Sequence, residues 1–217
     1  MASKFDPALI PAAPDLTFEQ ALWKSGIERI VGVDEAGRGA WAGPVTAAAV
    51  ILPQGQATGN ALTGVRDSKQ LRAKQREELE PLIKDRALAW GVGFATNEEI
   101  DLMGILPATR LAMTRALTAL SLFPQHILID ALFLPEIKTA QTALIKGDQR
   151  SLSIAAASIL AKTARDRWME ELAVDESLYA FERNKGYGTR VHQAALSQYG
   201  PCPLHRFSYA PVRQAIK

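Results

Sequence analysis

Two adjacent acids, Asp34 and Glu35, follow the apolar segment Ile30-Val31-Gly32-Val33. A buried strand commonly ends on one turn-forming acid, but a second beside it adds like-charge repulsion that a partner must offset. Two further acids stand in comparable places. Asp130 ends the apolar run that starts at His126, and Asp148 follows Gly147 just past an apolar segment at 142–146. Hard divalent cations take oxygen ligands and relieve such repulsion. Two Mg2+ ions about 3.5–4 Å apart can activate a water and stabilise the leaving oxygen of an in-line displacement at phosphorus. These residue types therefore point to metal-assisted hydrolysis of a phosphodiester. Taken singly, Asp130 and Asp148 also fit a turn or a helix start, and the set also fits a structural carboxylate network.

Metal-free RNA cleavage through the 2'-hydroxyl wants an acid and a base titrating near neutrality. The histidines offer no such pair: His126 opens a buried strand, His192 and His205 fall in basic segments expected to be exposed, and none is paired in sequence. Gly37-Arg38-Gly39 lacks the lysine and spacing of a Walker-type loop. Without β-carbons its glycines let the backbone come close to a ligand, and a 2'-hydroxyl that both donates and accepts suits such an approach. A tight turn with a solvated arginine is the alternative. Tyr187, between Gly186 and Gly188, either stacks on a sugar or base or anchors its loop in the core. Lys69, Lys146, Lys162, Arg165, Lys185 and Arg190 are candidates for phosphate contacts. Lys162 and Asp166 also suit an exposed i,i+4 pair. Ser158 reads first as a small packing residue and second as a ligand.

Acids this far apart in sequence meet only if a sheet sets strand ends side by side. Apolar and β-branched runs predict strands at 29–35, 43–52, 87–95, 126–130 and 142–146. Helical spacing predicts helices at 18–23, 70–84, 107–120, 151–173 and near 190–199, with Asn97 capping a further short one. Pro81 is expected to kink the second of these or start a new one. The order of elements is that of a mixed α/β sheet with helices packed on it. Residues 1–27 read as an N-terminal arm, loosely held over its Pro- and Ala-rich first part, and residues 28–217 as one domain with a small C-terminal extension.

The 217 residues are enough for one core without covalent staples. A single cysteine, Cys202, excludes an intramolecular disulfide and fits a reducing cytoplasm. No apolar stretch approaches membrane-spanning length, so no membrane partner is expected. The net charge of +2 is too small to announce a nucleic-acid partner. Its distribution says more, because residues 146–217 carry 11 Lys and Arg against 7 Asp and Glu.

The segments VGVDEAGRG at 31–39, AGPV at 42–45, RDSK at 66–69, ILID at 127–130, KGD with SIAAASILAK, NKGYGT, and GPCPLHRFSYAPV at 200–212 occur in this order. Together they resemble the ribonuclease HII family, the type 2 ribonucleases H. The resemblance implies a ribonuclease H-like α/β fold with a mixed five-stranded sheet flanked by helices and a small C-terminal helical extension. It implies Asp34, Glu35, Asp130 and Asp148 as catalytic ligands of Mg2+ or Mn2+ in a two-metal site. Gly37, Arg38 and Gly39 correspond to a ribose-sensing turn and Tyr187 to a tyrosine that recognises the ribonucleotide–deoxyribonucleotide junction; Lys69, Ser158 and Lys162 are the further substrate-contact candidates of this sequence. The implied reaction is endonucleolytic cleavage 5' to ribonucleotides in RNA–DNA hybrids or in duplex DNA, leaving 3'-hydroxyl and 5'-phosphate ends. The implied setting is ribonucleotide excision and primer removal; apart from the resemblance, the chain is expected to be a cytoplasmic monomer. Ala40-Trp41, Arg72 and Phe207 depart from the family pattern. A noncatalytic nucleic-acid-binding module and another nuclease of the same fold are the competing readings.

Overall fold

Runs of Val, Ile and Ala suit strands covered on both faces. In the computed structural model, which describes residues 5–173 and 176–216, they form strands β1 (Ile30–Ala36) and β2 (Val45–Ile51), buried along almost their whole length. With β3 (Ala89–Ala95), β4 (His126–Asp130) and β5 (Ala140–Leu144) they make one five-stranded sheet in the order β3-β2-β1-β4-β5. The first three strands are antiparallel neighbours, whereas β4 runs parallel to β1 and β5 parallel to β4. The expected mixed sheet flanked by helices is the observed one.

The helices are α1 (Thr17–Lys24), α2 (Gln56–Ala61), α3 (Ala73–Arg86), α4 (Asn97–Met103), α5 (Ile105–Thr118), α6 (Leu152–Ala173), α7 (Phe181–Asn184), α8 (Arg190–Tyr199) and α9 (Ala210–Arg213). Helix α5 lays Ala108, Ala112, Met113 and Ala116 against Val31, Val33 and Ile129 on one sheet face. Helix α6 covers the other face, with Ala155 to Ala157 and Leu160 against Ala48 and Val50. Each large aliphatic side chain buried in these layers contributes about 1.5–3 kcal/mol. The small residues of α6 matter differently, because they let it approach closely. At Gly32 an added β-carbon would lie 2.2 Å from the backbone carbonyl carbon of Ser153.

Several expectations need correction. Strand β5 starts and ends two residues earlier than the pattern at 142–146 implied, because Lys146 takes a left-handed conformation (φ 55°) that turns the chain. Helix α3 runs unbroken through Pro81. The carbonyl that Pro81 leaves unbonded belongs to Glu77, and both residues are exposed, so water can satisfy it. Thr96, not Asn97, caps α4 in a box with Glu99, while Asn97 Nδ2 donates to Pro203 O at 2.8 Å. His192 and His205 are fully buried rather than exposed, and they are paired, Nε2 to Nε2 at 2.9 Å. Burial, then proximity to His192, pushes His205 down to about 4, so it is neutral at physiological pH.

The arm is tied down over much of its described length. Leu16 joins the core, Asp15 pairs with Ser151 in an isolated bridge, and Asp15 O accepts from Leu152 N at 2.8 Å. Residues 1–4 of that arm lie outside the described residues.

Gly32→Ala drives a methyl into backbone that cannot rotate away, so overpacking lowers the free energy of unfolding by about 1–3 kcal/mol. Urea unfolding of the variant measures this, and an unchanged midpoint contradicts the close approach of α6.

Candidate active site

The parallel pair β1 and β4 delivers two acids together. Val33 is opposite Ile129, so Asp34 and Asp130 are the next residues on neighbouring strands about 4.8 Å apart. Alternation along β1 puts Asp34 on the face of Gly32, towards α6. Leu128 packs with Ile154 of α6, so Asp130 emerges on that face too. Asp148 sits in the short 3-10 turn Gly147–Gln149 that leads into α6. The Gly147 N–H donates to Asp130 Oδ1 at 2.6 Å and ties this turn to β4. Glu35 lies one residue on from Asp34, with Oε1 3.2 Å from Arg38 Nη1. The expected acids thus lie near one another around the carboxyl ends of the parallel strands, close enough that Asp34 feels the charges of the other three.

Their charges strain one another. Burial raises the Asp34 carboxyl well above the usual carboxylate range, and Glu35, Asp130 and Asp148 add to the rise. Glu35 is raised by burial despite Arg38 and Lys69, and Asp130 by burial despite the Gly147 amide. Asp148 is pushed up to about 6 by burial, then by Asp67 and Asp130. Glu35 Oε2 is buried with no hydrogen-bond partner. Close as the acids are, among the described residues no three His, Cys, Asp or Glu side chains are arranged as a ready-made metal site. The fit to a divalent cation rests on donor chemistry: oxygen-only ligands, mutual repulsion, and one free buried oxygen.

Beside the acids stands the glycine turn. Gly37 has φ +93°, and a β-carbon there would lie 2.0 Å from Arg165 Nε, so packing alone requires glycine. Gly39 is different. Its φ is not in the left-handed region and a β-carbon would meet nothing within 4 Å. Open space at Gly39 is what close approach of a ligand needs. Tyr187 is half-buried, its ring centroid 5.2 Å from Lys162 Nζ and 5.3 Å from the Arg165 guanidinium carbon. The two segments are joined, since Trp41 N donates to Gly186 O at 2.8 Å and the Trp41 ring packs over Gly188. His192 Nδ1 contacts Tyr187 O at 3.0 Å, so the buried histidine pair holds the tyrosine's backbone.

The basic candidates divide. Lys69 is exposed and lies 3.6 Å from Asp148 Oδ2. Lys146 and Arg190 are exposed, Lys146 beneath the Phe5 ring. Lys162 donates to Asp166 Oδ1 at 2.6 Å, and Arg76 joins the same carboxylate, so the pair is partly buried rather than solvated. Lys185 is engaged by Glu170 and by the Glu182 carbonyl. Arg165 is fully buried and donates to three carbonyls, which removes it from the phosphate-contact candidates. Ser158 is buried, its hydroxyl donating to Ala155 O and accepting from Ser68 N. An open groove of about 770 Å³, lined by Arg76, Lys162, Arg183 and Tyr187, runs beside the site, but none of the four acids lines it.

Three residues escaped the sequence reading. Asp67 is buried and accepts from Lys69 N and Gln149 Nε2, which places a fifth acid against Asp148. Its place beside Lys69 in RDSK was the available signal. Glu19 is buried, and its Oε1 accepts from the hydroxyls of Ser151 and Ser153 and from Ser153 N, holding the start of α6. Arg206 donates to Arg38 O, Gly43 O and Pro44 O from the C-terminal tail. No local pattern distinguishes either of these two from a surface charge.

With divalent ions chelated, these raised carboxyl pKa values make the folded chain bind protons more tightly than the unfolded chain. Unfolded aspartates titrate near 4 and folded Asp148 near 6, so stability falls as pH rises through at least that window. Asp34→Asn removes the most buried of these charges. Its urea midpoint in chelator at pH 7 should exceed the parent's, with a flatter dependence on pH. An equal or lower midpoint contradicts the strain assigned to Asp34.

Known proteins place this arrangement. A family model described as Ribonuclease HII matches residues 31–212. Ribonuclease HII of Chloroflexus aurantiacus is 52% identical over 204 residues, which are 94% of this chain and 96% of that protein. The crystal structure of ribonuclease H2 from Pyrococcus horikoshii superposes with a TM-score of 0.69 at 29% identity, over 86% of this chain and 96% of that one. Bst-RNase HIII, solved in complex with Mn2+, shares the fold at a TM-score of 0.70 and 21% identity, over 87% of this chain and 69% of that one. With its sheet, its neighbouring acids and a match spanning nearly every motif, the chain belongs to the ribonuclease HII family of metal-dependent ribonuclease H endonucleases.

Proposed function

We propose that this enzyme hydrolyses the phosphodiester on the 5' side of ribonucleotides, both in RNA–DNA hybrids and at single ribonucleotides embedded in duplex DNA. A water oxygen bonds to phosphorus while the bond from phosphorus to the upstream O3' breaks, leaving a 3'-hydroxyl and a 5'-phosphate. The proximity of Asp34, Glu35, Asp130 and Asp148 around the carboxyl ends of β1 and β4, beside the open backbone at Gly39, carries this reading. Those four acids would hold Mg2+ or Mn2+, which supplies charge stabilisation to an attacking water and a leaving oxygen.

The chain's own groups set which bond is presented. Unobstructed backbone at Gly39 lets the turn of residues 37–39 read a 2'-hydroxyl, and Tyr187 checks the neighbouring sugar. Lys69, exposed beside Asp148, and Lys162, beside Tyr187, are the groups assigned to phosphates in this reading. His192 and His205 are unsuited to replace a metal, because their buried pair is occupied internally. The reading extends to ribonucleotide excision and primer removal by a cytoplasmic monomer; no helix among the described residues is long and apolar enough to cross a membrane.

A DNA duplex with one ribonucleotide should be cut with Mg2+ or Mn2+ and stay intact in chelator, and end mapping should place the cut 5' to the ribose. Cleavage on the 3' side, or turnover in chelator, overturns the reading. Asp34→Asn should lower turnover by more than about 100-fold, since even groups that only orient metal ligands are worth about 10–100-fold. Gly39→Ala should leave the melting temperature unchanged and weaken binding of the ribonucleotide duplex about tenfold, the scale of one lost hydrogen bond. Tyr187→Ala should impair single-ribonucleotide cleavage more than cleavage of a long hybrid.

A further inference from the structure

Arg165 projects from α6 into the gap between the two segments that carry the sugar-reading roles. Its hydrogen bonds go to carbonyls rather than to an acid. Nε donates to Pro44 O at 2.8 Å and Nη2 to Ala42 O at 3.0 Å, at the far end of the loop that begins at Gly37. Nη1 donates to Lys185 O at 2.9 Å, two residues before Tyr187. Gly37 packs on the same guanidinium so tightly that no β-carbon fits, and the Tyr187 ring lies 5.3 Å above it. One rigid planar group therefore touches both ends of the glycine loop and both the backbone and the ring of the tyrosine segment. Five N–H donors in a fixed fork can span three carbonyls in this way, whereas one ammonium cannot.

We propose that Arg165 is a positioning residue for ribonucleotide recognition, fixing the spacing between the Gly37–Gly39 turn and Tyr187 so that two successive sugars are read together. The inference rests on the sugar-reading roles proposed above for that turn and for Tyr187. Arg206 holds the same loop from the tail side but makes no contact with the tyrosine segment among its hydrogen bonds, so it anchors the loop without setting this spacing.

The test uses the full chain with Arg165→Lys, assayed with Mg2+ on a duplex carrying one ribonucleotide and on a continuous RNA–DNA hybrid. The preference for the single ribonucleotide should fall about tenfold, one to two hydrogen bonds' worth, through KM rather than kcat. Met113→Ala, a cavity in the α5 layer, serves as a destabilised control and should keep the parental preference. Binding measured with Ca2+ replacing Mg2+ should show the same loss for the ribonucleotide duplex and none for an all-DNA duplex. Parental preference in folded Arg165→Lys overturns the inference. If that variant does not fold, the 15N-labelled parent decides: the Arg165 Nε–H resonance should shift on adding the ribonucleotide duplex and not the all-DNA duplex, and equal responses overturn the inference. Gly39→Ala and Tyr187→Ala run alongside. If they too keep the parental preference, the sugar-reading roles themselves fall; if they lose it while Arg165→Lys keeps it, only the role of Arg165 falls.

Discussion

Helix α6 and strand β1 meet backbone to backbone at Gly32, and the acid site is built outward from that contact. Because Ser153 sits where a side chain at Gly32 would be, the turn that precedes α6 is drawn down to the sheet. Asp148 in that turn then lies near enough to Asp34, two residues along the same face of β1 as Gly32, for its charge to raise the Asp34 carboxyl. Glu19 secures the arrangement from the arm, its carboxylate accepting from Ser151 and Ser153 at the start of the helix. The short helix of the N-terminal arm thus helps to hold the start of α6.

Two kinds of buried charge follow from this geometry, and they are handled oppositely. The acids are left in conflict: burial and mutual repulsion raise all four, and Glu35 keeps a buried oxygen unbonded. Crowded, buried carboxylates of one sign are the kind of repulsion that a divalent cation would relieve. The arginines are fully satisfied. Arg165 and Arg206 each donate to several backbone carbonyls of the 38–44 loop, which fixes a segment that has little regular structure of its own. The acids at the end of β1 are left strained, whereas the loop beside them is held rigidly.

The histidines show how a local signal misleads. His192 and His205 lie among basic and proline-rich residues that read as surface, yet α8 and the tail fold over each other and bury both. Once enclosed they pair, and through Tyr187 O they brace the tyrosine loop. Trp41, an apparent departure from the family pattern, belongs to this cluster, with its ring 5.6 Å from His192.

The sequence by itself determined the five strands, the long helix and the acids at strand ends, because each is written in neighbouring residues: β-branched runs, helical spacing, and an acid where an apolar run stops. It also marked Gly37-Arg38-Gly39 as a turn of close backbone approach, though not that the two glycines differ. Only the tertiary structure decided that, since Gly37 is forced by Arg165, a residue remote in sequence, and Gly39 by nothing within the chain. The same holds for Arg165, Arg206, Asp67 and Glu19, whose roles come from partners far along the polypeptide. A charged side chain carries no local mark of whether it will meet solvent or a buried carbonyl; that is settled by which surfaces close over it.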